Sequence, residues 1–406
     1  MVRFIKNLFY NFVMYFLVTY INFFEWNSQR INSPKISSLT SKRIKRILIV
    51  RLDEIGDIVL MSSFFRELRK NNPNAEITAV VKKETLPLME VCPYINKMFG
   101  VNFSKGRFSP LLGIIQARNF CKNKLRQNIV NGYAYDMVIV PRWDKDYGYF
   151  AGYIALFAMA KYRIAYAACV NRTKEKVDSV YDKIYTHLLT ETYHIHEVKR
   201  NLDLLSFIGY KVECDNLELW TSKEDDDFIA QYFDDAKKNV IVLFLSAGSE
   251  RREWPVSKFA NVACILREKH ANLSIFILGA GSHAQELGDV MMRKSAGVVN
   301  LINKLTLRQT ASFLKRATIA CGGDTGPLHM AAAAGCSCVV LSCHPLGADV
   351  NHANSPARFG VWHANSITLR PRALPGCEDG CCKNYTHCID NISVGEVVKS
   401  IEAFLM

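Results

Sequence analysis

A glycine-rich turn that leads into a helix stands near residue 324, and its residue types suit phosphate binding. Residues 321–329 read Cys-Gly-Gly-Asp-Thr-Gly-Pro-Leu-His and follow a short apolar run typical of a β-strand. Asp324 is placed to be the N-cap of the helix, and Pro327 falls in its first turn, where a missing N–H loses no bond. Free N–H groups and the positive helix end then meet just after Gly323, an arrangement that binds phosphate without a metal. His329, about one turn further on, is placed to face the same cavity.

Taken alone, this segment also fits an ordinary strand–turn–helix connection around a core histidine. A second loop of the same kind argues against that interpretation. Arg46–Val50 is an apolar strand that leads into Gly56 and Asp57, and residues 58–69 follow with helical apolar spacing. The Gly-x-Gly-x-x-Gly pattern of dinucleotide-binding loops is absent there. This loop therefore offers a carboxylate rather than a dinucleotide fingerprint.

A third loop follows the apolar strand Val240–Leu245. It begins with small residues that permit close backbone approach, namely Ser246, Ala247 and Gly248. A cation and an aromatic–proline helix entry follow at Arg252, Trp254 and Pro255. Loops at the carboxyl ends of parallel strands meet at one edge of an α/β sheet, which is where such sheets bind ligands.

In this order along the chain, the three loops resemble those of glycosyltransferase family 9, whose best-known members are the ADP-heptose:lipopolysaccharide heptosyltransferases. The Asp-Thr-Gly-x-x-His run at 324–329 is the most specific element, and Arg-x-Trp-Pro at 252–255 is moderately specific. The resemblance covers residues 46–400. It implies a Gram-negative enzyme that moves a sugar, most often heptose, from an ADP-sugar to a lipopolysaccharide core or a similar acidic glycan.

The resemblance also implies an α/β fold of the GT-B architecture, with two Rossmann-like domains that face a central cleft. A length of 406 residues and an apolar content of 49% are enough for two such domains. The expected parts are an aromatic membrane-associating helix and basic linker at 1–44, an acceptor domain at 45–222, an acidic interdomain linker at 223–238, a nucleotide-sugar domain at 239–375, and a cysteine-rich tail with a closing helix at 376–406. In this fold the closing helix is expected to return to the first domain.

Transfer to an acceptor hydroxyl requires a general base, and Asp57 occupies the position of the family's catalytic aspartate. A single carboxylate that acts by direct displacement implies inversion at the anomeric carbon. A helix N-cap is the alternative role for Asp57. Asp53 and Glu54 are neighbouring carboxylates, but they stand where family members vary.

The departing diphosphate needs cations or backbone donors, and no cofactor is required for this chemistry. Arg252 stands where the family usually carries a lysine, and a guanidinium can bind phosphate in a bidentate manner. The alternatives are that Arg251 reaches in instead, or that Arg252 lies on a solvated face. The resemblance implies further donor contacts from the Thr325 and Gly326 amides, Asp324 and His329, and nucleotide contacts from Ser246, Ala247, Gly248, Gln285 and Glu286.

The charge and the N-terminal segment point to anionic partners. The chain carries a net charge of +13, and its first 26 residues hold ten aromatic side chains with no charge between Lys6 and Glu25. This composition favours a membrane interface over a signal peptide, and the uncharged stretch is only just long enough to span. A basic collar suited to anionic headgroups follows, comprising Arg30, Lys35, Lys42, Arg43, Lys45 and Arg46. These features predict the cytoplasmic face of the inner membrane, with the segment lying on the bilayer or spanning it.

A second basic and apolar stretch, Phe108–Arg126, lies in the expected acceptor domain. Its two interpretations are a clasp for an acidic glycolipid core and a solvated helix face. The sequence favours neither.

Thirteen cysteines are present, and those before the tail are scattered like the reduced thiols of a cytosolic protein. The tail differs, because Cys377, Cys381, Cys382 and Cys388 cluster there beside His387. Clustered thiolates can hold a structural zinc or iron. Free thiols or a disulfide are the alternatives, since the spacing matches no standard Cys-x2-Cys pair.

Three other function classes fit the sequence less well. Another GT-B enzyme that uses a nucleotide sugar, acting on a different surface glycan or protein, should lack Asp-Thr-Gly-x-x-His. A nucleic-acid binder would interleave aromatic and basic residues on one platform, whereas the aromatic residues here are massed at the N-terminus. A non-catalytic, basic, membrane-bound scaffold would not need Asp57 and Asp324, and both are present.

Overall fold

The computed structural model describes residues 44–102, 109–146, 150–191, 194–233, 239–363 and 365–405. The predicted aromatic segment, together with Arg30, Lys35, Lys42 and Arg43 of the basic collar, lies outside the described residues. Within the described ranges, none of the helices has both the length and the apolar character that crossing a membrane requires.

The first half of the chain forms a parallel six-stranded sheet in the order β3-β2-β1-β4-β5-β6. Its strands are β1 (Arg46–Arg51), β2 (Glu76–Lys82), β3 (Lys97–Val101), β4 (Tyr135–Val140), β5 (Ala160–Tyr166) and β6 (His187–Leu189). Its α-helices are α1 (Ile55–Val59), α2 (Ser62–Asn71), α3 (Leu86–Met89), α4 (Ser109–Phe120), α5 (Phe150–Phe157), α6 (Arg172–Asp178) and α7 (Glu197–Phe207).

The second half repeats this arrangement in a parallel sheet of order β12-β11-β10-β7-β8-β9. Its strands are β7 (Asn239–Phe244), β8 (Leu273–Leu278), β9 (Val298–Asn300), β10 (Ile319–Gly323), β11 (Ser337–Leu341) and β12 (Ser366–Leu369). Its α-helices are α8 (Lys223–Ala230), α9 (Val256–Lys269), α10 (Ser282–Lys294), α11 (Leu307–Arg316), α12 (Gly326–Ala333), α13 (Pro356–Phe359) and α14 (Val394–Glu402). Short helical turns are also present at Glu250–Arg252 and, within the tail, at Cys388–Asn391.

The central strands are continuous apolar runs because helices cover both faces of each sheet. In β1, Ile47 and Ile49 belong to one core, whereas Leu48 and Val50 belong to the core on the opposite face. This alternation follows from the two-residue period of a strand. The sequence of each strand therefore serves two cores at once.

Each sheet has the strand order of a doubly wound Rossmann fold, and the prediction of a two-domain α/β GT-B protein is confirmed. The order reverses between β1 and β4 in the first sheet and between β7 and β10 in the second. Ligands of such sheets bind at the carboxyl ends of the strands beside that reversal. Four loops are thereby marked as candidates for the site.

Several local features differ from the sequence-based expectation. The helix expected over 58–69 is broken at Leu60 and Met61: Val59, before the break, packs with residues of the second half, whereas Phe64, after it, packs in a core of the first half. The strands β3, β5, β6 and β12 were not predicted. Residues 223–230, expected in a linker, form a helix that packs on α11 of the second half.

The closing helix also differs, because α14 packs on α9, β11 and β12 rather than returning to the first domain. Its buried residues Val397, Val398 and Ile401 join the core of the second half. The tail is fixed to that half by a hydrogen bond of 3.0 Å from the indole N–H of Trp254 to the carbonyl of Ile392.

The basic stretch at 108–126 is helical over most of its length. Ile114 and Ala117 are buried in the first half, whereas Leu112 and Ile115 are 43% and 54% exposed. An exposed apolar face fits the glycolipid clasp that we considered, and that role stays a prediction.

Candidate active site

A cavity of about 800 Å³ lies between the two halves, where the chain leaves β1, β4, β7 and β10. The first half lines it with the loop at 53–57 and with residues 142–144. The second half contributes residues 246–248, Arg252 and the loop that begins at Asp324. The fold thus brings the three loops singled out in the sequence into one cleft.

Asp57 is the third residue of α1, and the N-cap of that helix is Glu54. The carboxylate of Asp57 accepts a hydrogen bond of 3.2 Å from the backbone N–H of Glu54 through Oδ2, and Oδ1 lies 3.5 Å from Nη2 of Arg51. Its side chain stays 26% exposed and lines the cavity. The helix start therefore orients this carboxylate without burying it.

The two neighbouring carboxylates are placed differently from Asp57. Asp53 is buried between two cations, with Oδ2 at 2.6 Å from Nε of Arg51 and Oδ1 paired with Arg142. The Glu54 side chain is 78% exposed and pairs with Lys82. Asp53 is thus fixed in a structural network, and Glu54 points to solvent.

Two glycines let the halves touch beside Asp57. A β-carbon on Gly56 would lie 2.9 Å from Cδ2 of His329, and a β-carbon on Gly326 would lie 3.1 Å from the backbone nitrogen of Gly56. Both distances are too short for an ordinary side chain. The absence of side chains at both positions allows α1 and α12 to meet at their first turns. They meet next to the loop that begins at Asp324, which is called the donor loop below.

The donor loop differs in one respect from the sequence-based prediction. Asp324 is not the N-cap of α12, because that position belongs to Thr325. The Asp324 carboxylate instead turns toward His329, with Oδ1 at 3.3 Å from Nε2. Both side chains are buried, and both line the cavity. Pro327 lies in the first turn of the helix, as expected.

Arg252 reaches the same loop from the helical turn Glu250–Arg252. Its Nη1 donates a hydrogen bond of 3.1 Å to the carbonyl oxygen of Asp324. Within the described residues, Nε of Arg252 and Oγ1 of Thr325 are buried without a hydrogen-bond partner. Because buried polar groups in folded proteins are nearly always hydrogen-bonded, these atoms are suited to receive a polar ligand.

Only some of the residues predicted to contact the nucleotide line the cavity. Ser246, Ala247 and Gly248 line the cavity, whereas Gln285 and Glu286 are not among its lining residues. Instead, Nε2 of Gln285 donates to a carboxylate one turn further along α10, at 2.9 Å. In this part of the chain, the residues that line the cavity are Leu278, Gly279 and Ala280, which lie between β8 and α10 or at the end of β8.

Glu253 is a positioning residue that the sequence analysis missed. Its carboxylate accepts a hydrogen bond of 2.9 Å from the backbone N–H of Ala247 and lies 2.9 Å from Nε2 of His283. The hydrogen bond to Glu253 raises the pKa of His283. The signal available in the sequence was an acidic residue at the variable position of the Arg-x-Trp-Pro run.

The loop after β4 was also missed. Arg142, Trp143 and Asp144 line the cavity directly after β4. Glu197, the first residue of α7, completes this wall. The switch-point rule applied to β4 would have identified the loop.

A second cavity of about 600 Å³ lies in the first half. Asp53, Glu54, Asp57 and Arg142 line this cavity as well as the first one. Lys82, Glu84, Asn102 and Phe150 also contribute to the second. Asp57 therefore stands at the boundary between two cavities.

The tail residues form a compact group of potential metal ligands. The ligand atoms of Cys377, Cys381, His387 and Cys388 all lie within 4.8 Å of one another. Cys382, which the sequence-based set included, is exposed and its thiol donates to the carbonyl of Gly376 at 3.4 Å. The structure therefore groups His387 with three of the four predicted cysteines, and Cys382, whose Sγ lies 3.7 Å from Sγ of Cys377, stays a predicted ligand.

Comparison with known proteins points to the same glycosyltransferase family that the three loops resemble. Residues 152–341 match the family model of Glycosyltransferase family 9 (heptosyltransferase). The chain is 20% identical over 291 residues to the lipopolysaccharide core heptosyltransferase OpsX of Haemophilus influenzae, covering 72% of this chain and 77% of that protein.

Solved structures share the fold. The family 9 glycosyltransferase of Veillonella parvula superposes with a TM-score of 0.68 at 19% identity, covering 89% of this chain and 97% of the other. Escherichia coli heptosyltransferase WaaC with ADP gives a TM-score of 0.66 at 16% identity, covering 88% and 99%.

Proposed function

Because this chain is a heptosyltransferase-like glycosyltransferase of family 9, we propose that it transfers heptose from ADP-heptose to a lipopolysaccharide-core or similar acidic glycan acceptor. The observation that carries the proposal is the position of Asp57, an accessible carboxylate at the boundary between two cavities. One cavity, with the donor loop, takes the nucleotide sugar. The other takes the acceptor.

In this scheme Asp57 removes the proton from an acceptor hydroxyl as its oxygen attacks the anomeric carbon. The bond between that carbon and the diphosphate oxygen breaks in the same step, and ADP leaves with the bonding electrons. Arg51 and the Glu54 N–H hold the carboxylate in place. A single displacement of this kind inverts the anomeric configuration.

The leaving diphosphate gathers negative charge, and the donor loop is equipped to stabilise it. Arg252 supplies a cation, and the start of α12 supplies backbone N–H groups at Thr325 and Gly326. Asp324 and His329 contact the sugar or the phosphate from the buried side. This chemistry needs no cofactor.

The donor is tested by thermal stabilisation of the purified protein with a panel of nucleotide sugars. A ligand that binds only the folded state raises the unfolding temperature, and the stabilisation grows with the logarithm of the ligand concentration relative to its Kd. ADP-heptose and ADP are expected to stabilise the protein, and UDP-sugars and GDP-sugars at the same concentration are not. Equal or stronger stabilisation by a UDP-sugar would contradict the assigned donor.

We further propose that the tail group of Cys377, Cys381, His387 and Cys388 holds a structural zinc or iron ion. Three of these side chains are buried, as a structural site with no open position requires. The neighbouring Thr386 hydroxyl lies 3.1 Å from the carbonyl oxygen of Glu250 and 3.3 Å from that of Glu253. The tail thus supports the turn that carries Arg252.

Cys388→Ser should therefore lose bound metal and lower the unfolding temperature, because binding to a folded site contributes directly to folding. Cys382→Ser is the matched control and should retain both. Metal content per chain, measured by plasma mass spectrometry, checks the prediction. Equal metal loss in both variants would instead support the four-cysteine set, and metal-free protein from metal-supplemented cells would exclude the site.

We also propose that residues 1–44 attach the enzyme to the cytoplasmic face of the inner membrane. The support is the aromatic, uncharged composition and the basic collar that follows it. The full chain should float with anionic liposomes, and a chain that lacks residues 1–40 should stay in the soluble fraction while still binding ADP. Flotation of the shortened chain would contradict the proposal.

A further inference from the structure

Arg358, which lies in α13 of the second half, reaches across the cleft and is buried among residues of the first half. Only 4% of its side chain is exposed. Building on the proposed function, we propose that Arg358 is a positioning residue that holds the two halves closed, so that Asp57 faces the donor loop. The contacts of Arg358, the walls of the cleft and a comparison with a second cross-domain pair support this.

The direct contacts of Arg358 bridge the halves. Its Nη2 lies 2.8 Å from Oδ2 of Asp144 and 3.7 Å from Oε1 of Glu197, both in the first half. Its Nη1 donates a hydrogen bond of 3.2 Å to the carbonyl of Asn351 in its own half. The guanidinium is therefore fixed from both sides of the cleft.

Aromatic contacts extend this network. Cζ of Arg358 lies 4.7 Å from the ring centroid of Trp143, and Cζ of Arg200 lies 3.7 Å from the same ring. Arg200 in turn pairs with Glu197 at 3.1 Å. Cations this close to an indole ring are attracted by its electron-rich face. Two cations, two carboxylates and one indole thus form a compact, charge-balanced cluster.

Burial makes the members of this cluster depend on each other. Desolvation raises the pKa of Glu197, whereas the nearby cations lower it. Desolvation also lowers the pKa of Arg200. Removal of one partner from a buried ion pair leaves an uncompensated charge, which is strongly destabilising. Loss of Arg358 would therefore favour an opened arrangement in which water reaches Asp144 and Glu197.

The cluster is continuous with the walls of the active-site cavity. Trp143, Asp144 and Glu197 line that cavity from the first half, and Phe359, next to Arg358, lines it from the second. A second contact between the halves lies two residues after Arg358, where Nε2 of His196 in the first half is 2.9 Å from the carbonyl oxygen of Gly360. Closure at Arg358 and the shape of the cleft are therefore one structural feature.

A second cross-domain ion pair provides a matched control. Arg308 of α11 pairs with Glu90 of the first half at 3.2 Å, and these side chains are 24% and 50% exposed. Arg308 is also held by Asp225 of its own half at 2.8 Å. Exposed ion pairs contribute little to stability. Arg308 therefore crosses the same boundary, but it is less buried than Arg358 and its partners do not line the cavity.

The test compares Arg358→Ala, Arg358→Lys and Arg308→Ala in the full chain. Arg358→Ala should lower kcat by roughly 10- to 100-fold, since a misplacement of ~1 Å at a reacting centre can cost about 10²-fold. Its Kd for ADP should stay within about threefold of the parent, because no donor contact is removed. Arg358→Lys should recover part of the loss, and Arg308→Ala should match the parent.

Small-angle X-ray scattering with bound ADP supplies a readout that does not need transfer activity. Arg358→Ala should show a larger radius of gyration than the parent and Arg308→Ala. Should Arg358→Ala not fold, Asp144→Asn removes the partner charge and should show the same expansion. Identical scattering for all variants would overturn the proposal, as would equal losses in kcat for both alanine variants. An inactive parent would instead contradict the proposed function and leave the scattering test intact.

Discussion

Asp57→Asn is expected to lower turnover by roughly 10²–10⁴-fold while leaving donor affinity close to that of the parent, because it removes proton acceptance and little else. An asparagine oxygen can still accept the hydrogen bond from the Glu54 N–H that orients the side chain at 3.2 Å. The helix start should therefore persist, and the loss should fall on the chemical step. Single-turnover kinetics with saturating donor and acceptor measure that step directly.

Glu54→Gln is the matched control for this prediction. Glu54 is a carboxylate three residues away that lines both cavities, but its side chain is 78% exposed and paired with Lys82. Its replacement should leave turnover within about threefold of the parent, since a solvated ion pair contributes little. Full turnover in Asp57→Asn would reduce Asp57 to a helix-capping residue. A similar loss of turnover in Glu54→Gln would indicate that Glu54, and not Asp57, is the general base.

Arg252→Ala should weaken ADP binding by roughly 10- to 100-fold, as expected when a hydrogen-bonded contact to a charged group is removed. Transfer should slow as well, because the same guanidinium meets the charge that develops on the leaving diphosphate. Isothermal titration with ADP and steady-state kinetics give the two quantities separately. Arg252→Lys should recover part of both, since it keeps the charge but not the bidentate geometry.

Arg251→Ala distinguishes Arg252 from its neighbour. Arg251 is absent from the lining of the cavity, whereas Arg252 donates to the donor loop at Asp324. The Arg251 variant is therefore expected to bind ADP as the parent does. A larger loss of ADP affinity in Arg251→Ala than in Arg252→Ala would show that Arg251, and not Arg252, binds the diphosphate. A strict requirement for added Mg²⁺ would contradict the metal-free stabilisation of the leaving group.

The parts of the fold that the sequence predicted well are those encoded by local patterns. Thr306, for example, has a residue type that favours a helix N-cap, and its hydroxyl accepts a hydrogen bond of 3.2 Å from the N–H of Gln309 in a capping box. The strands β1, β7 and β10 were recognised from their apolar runs, and the loops after them meet in one cleft. Chain order and the switch-point rule were enough for this.

The sequence could not predict features that depend on distant contacts. Arg358 and Asp144 are 214 residues apart, and nothing local to either residue indicates the other. Asp324 looked like an N-cap because its type and position suited one, but the buried His329 competes for its carboxylate. In the tail, spacing alone could not tell that the ring of His387 lies within 4.8 Å of the thiols of Cys377, Cys381 and Cys388.

The central claim is that Asp57, from one half, and the donor loop, from the other, carry out a single displacement on an ADP-sugar. Its most direct test is the anomeric configuration of the product, determined by NMR after incubation of the full chain with ADP-heptose and a truncated lipopolysaccharide core. The account predicts that heptose is transferred with its anomeric configuration inverted relative to the donor. Transfer with retention would contradict it, because base-assisted attack of the acceptor oxygen opposite the leaving diphosphate can only invert the anomeric configuration.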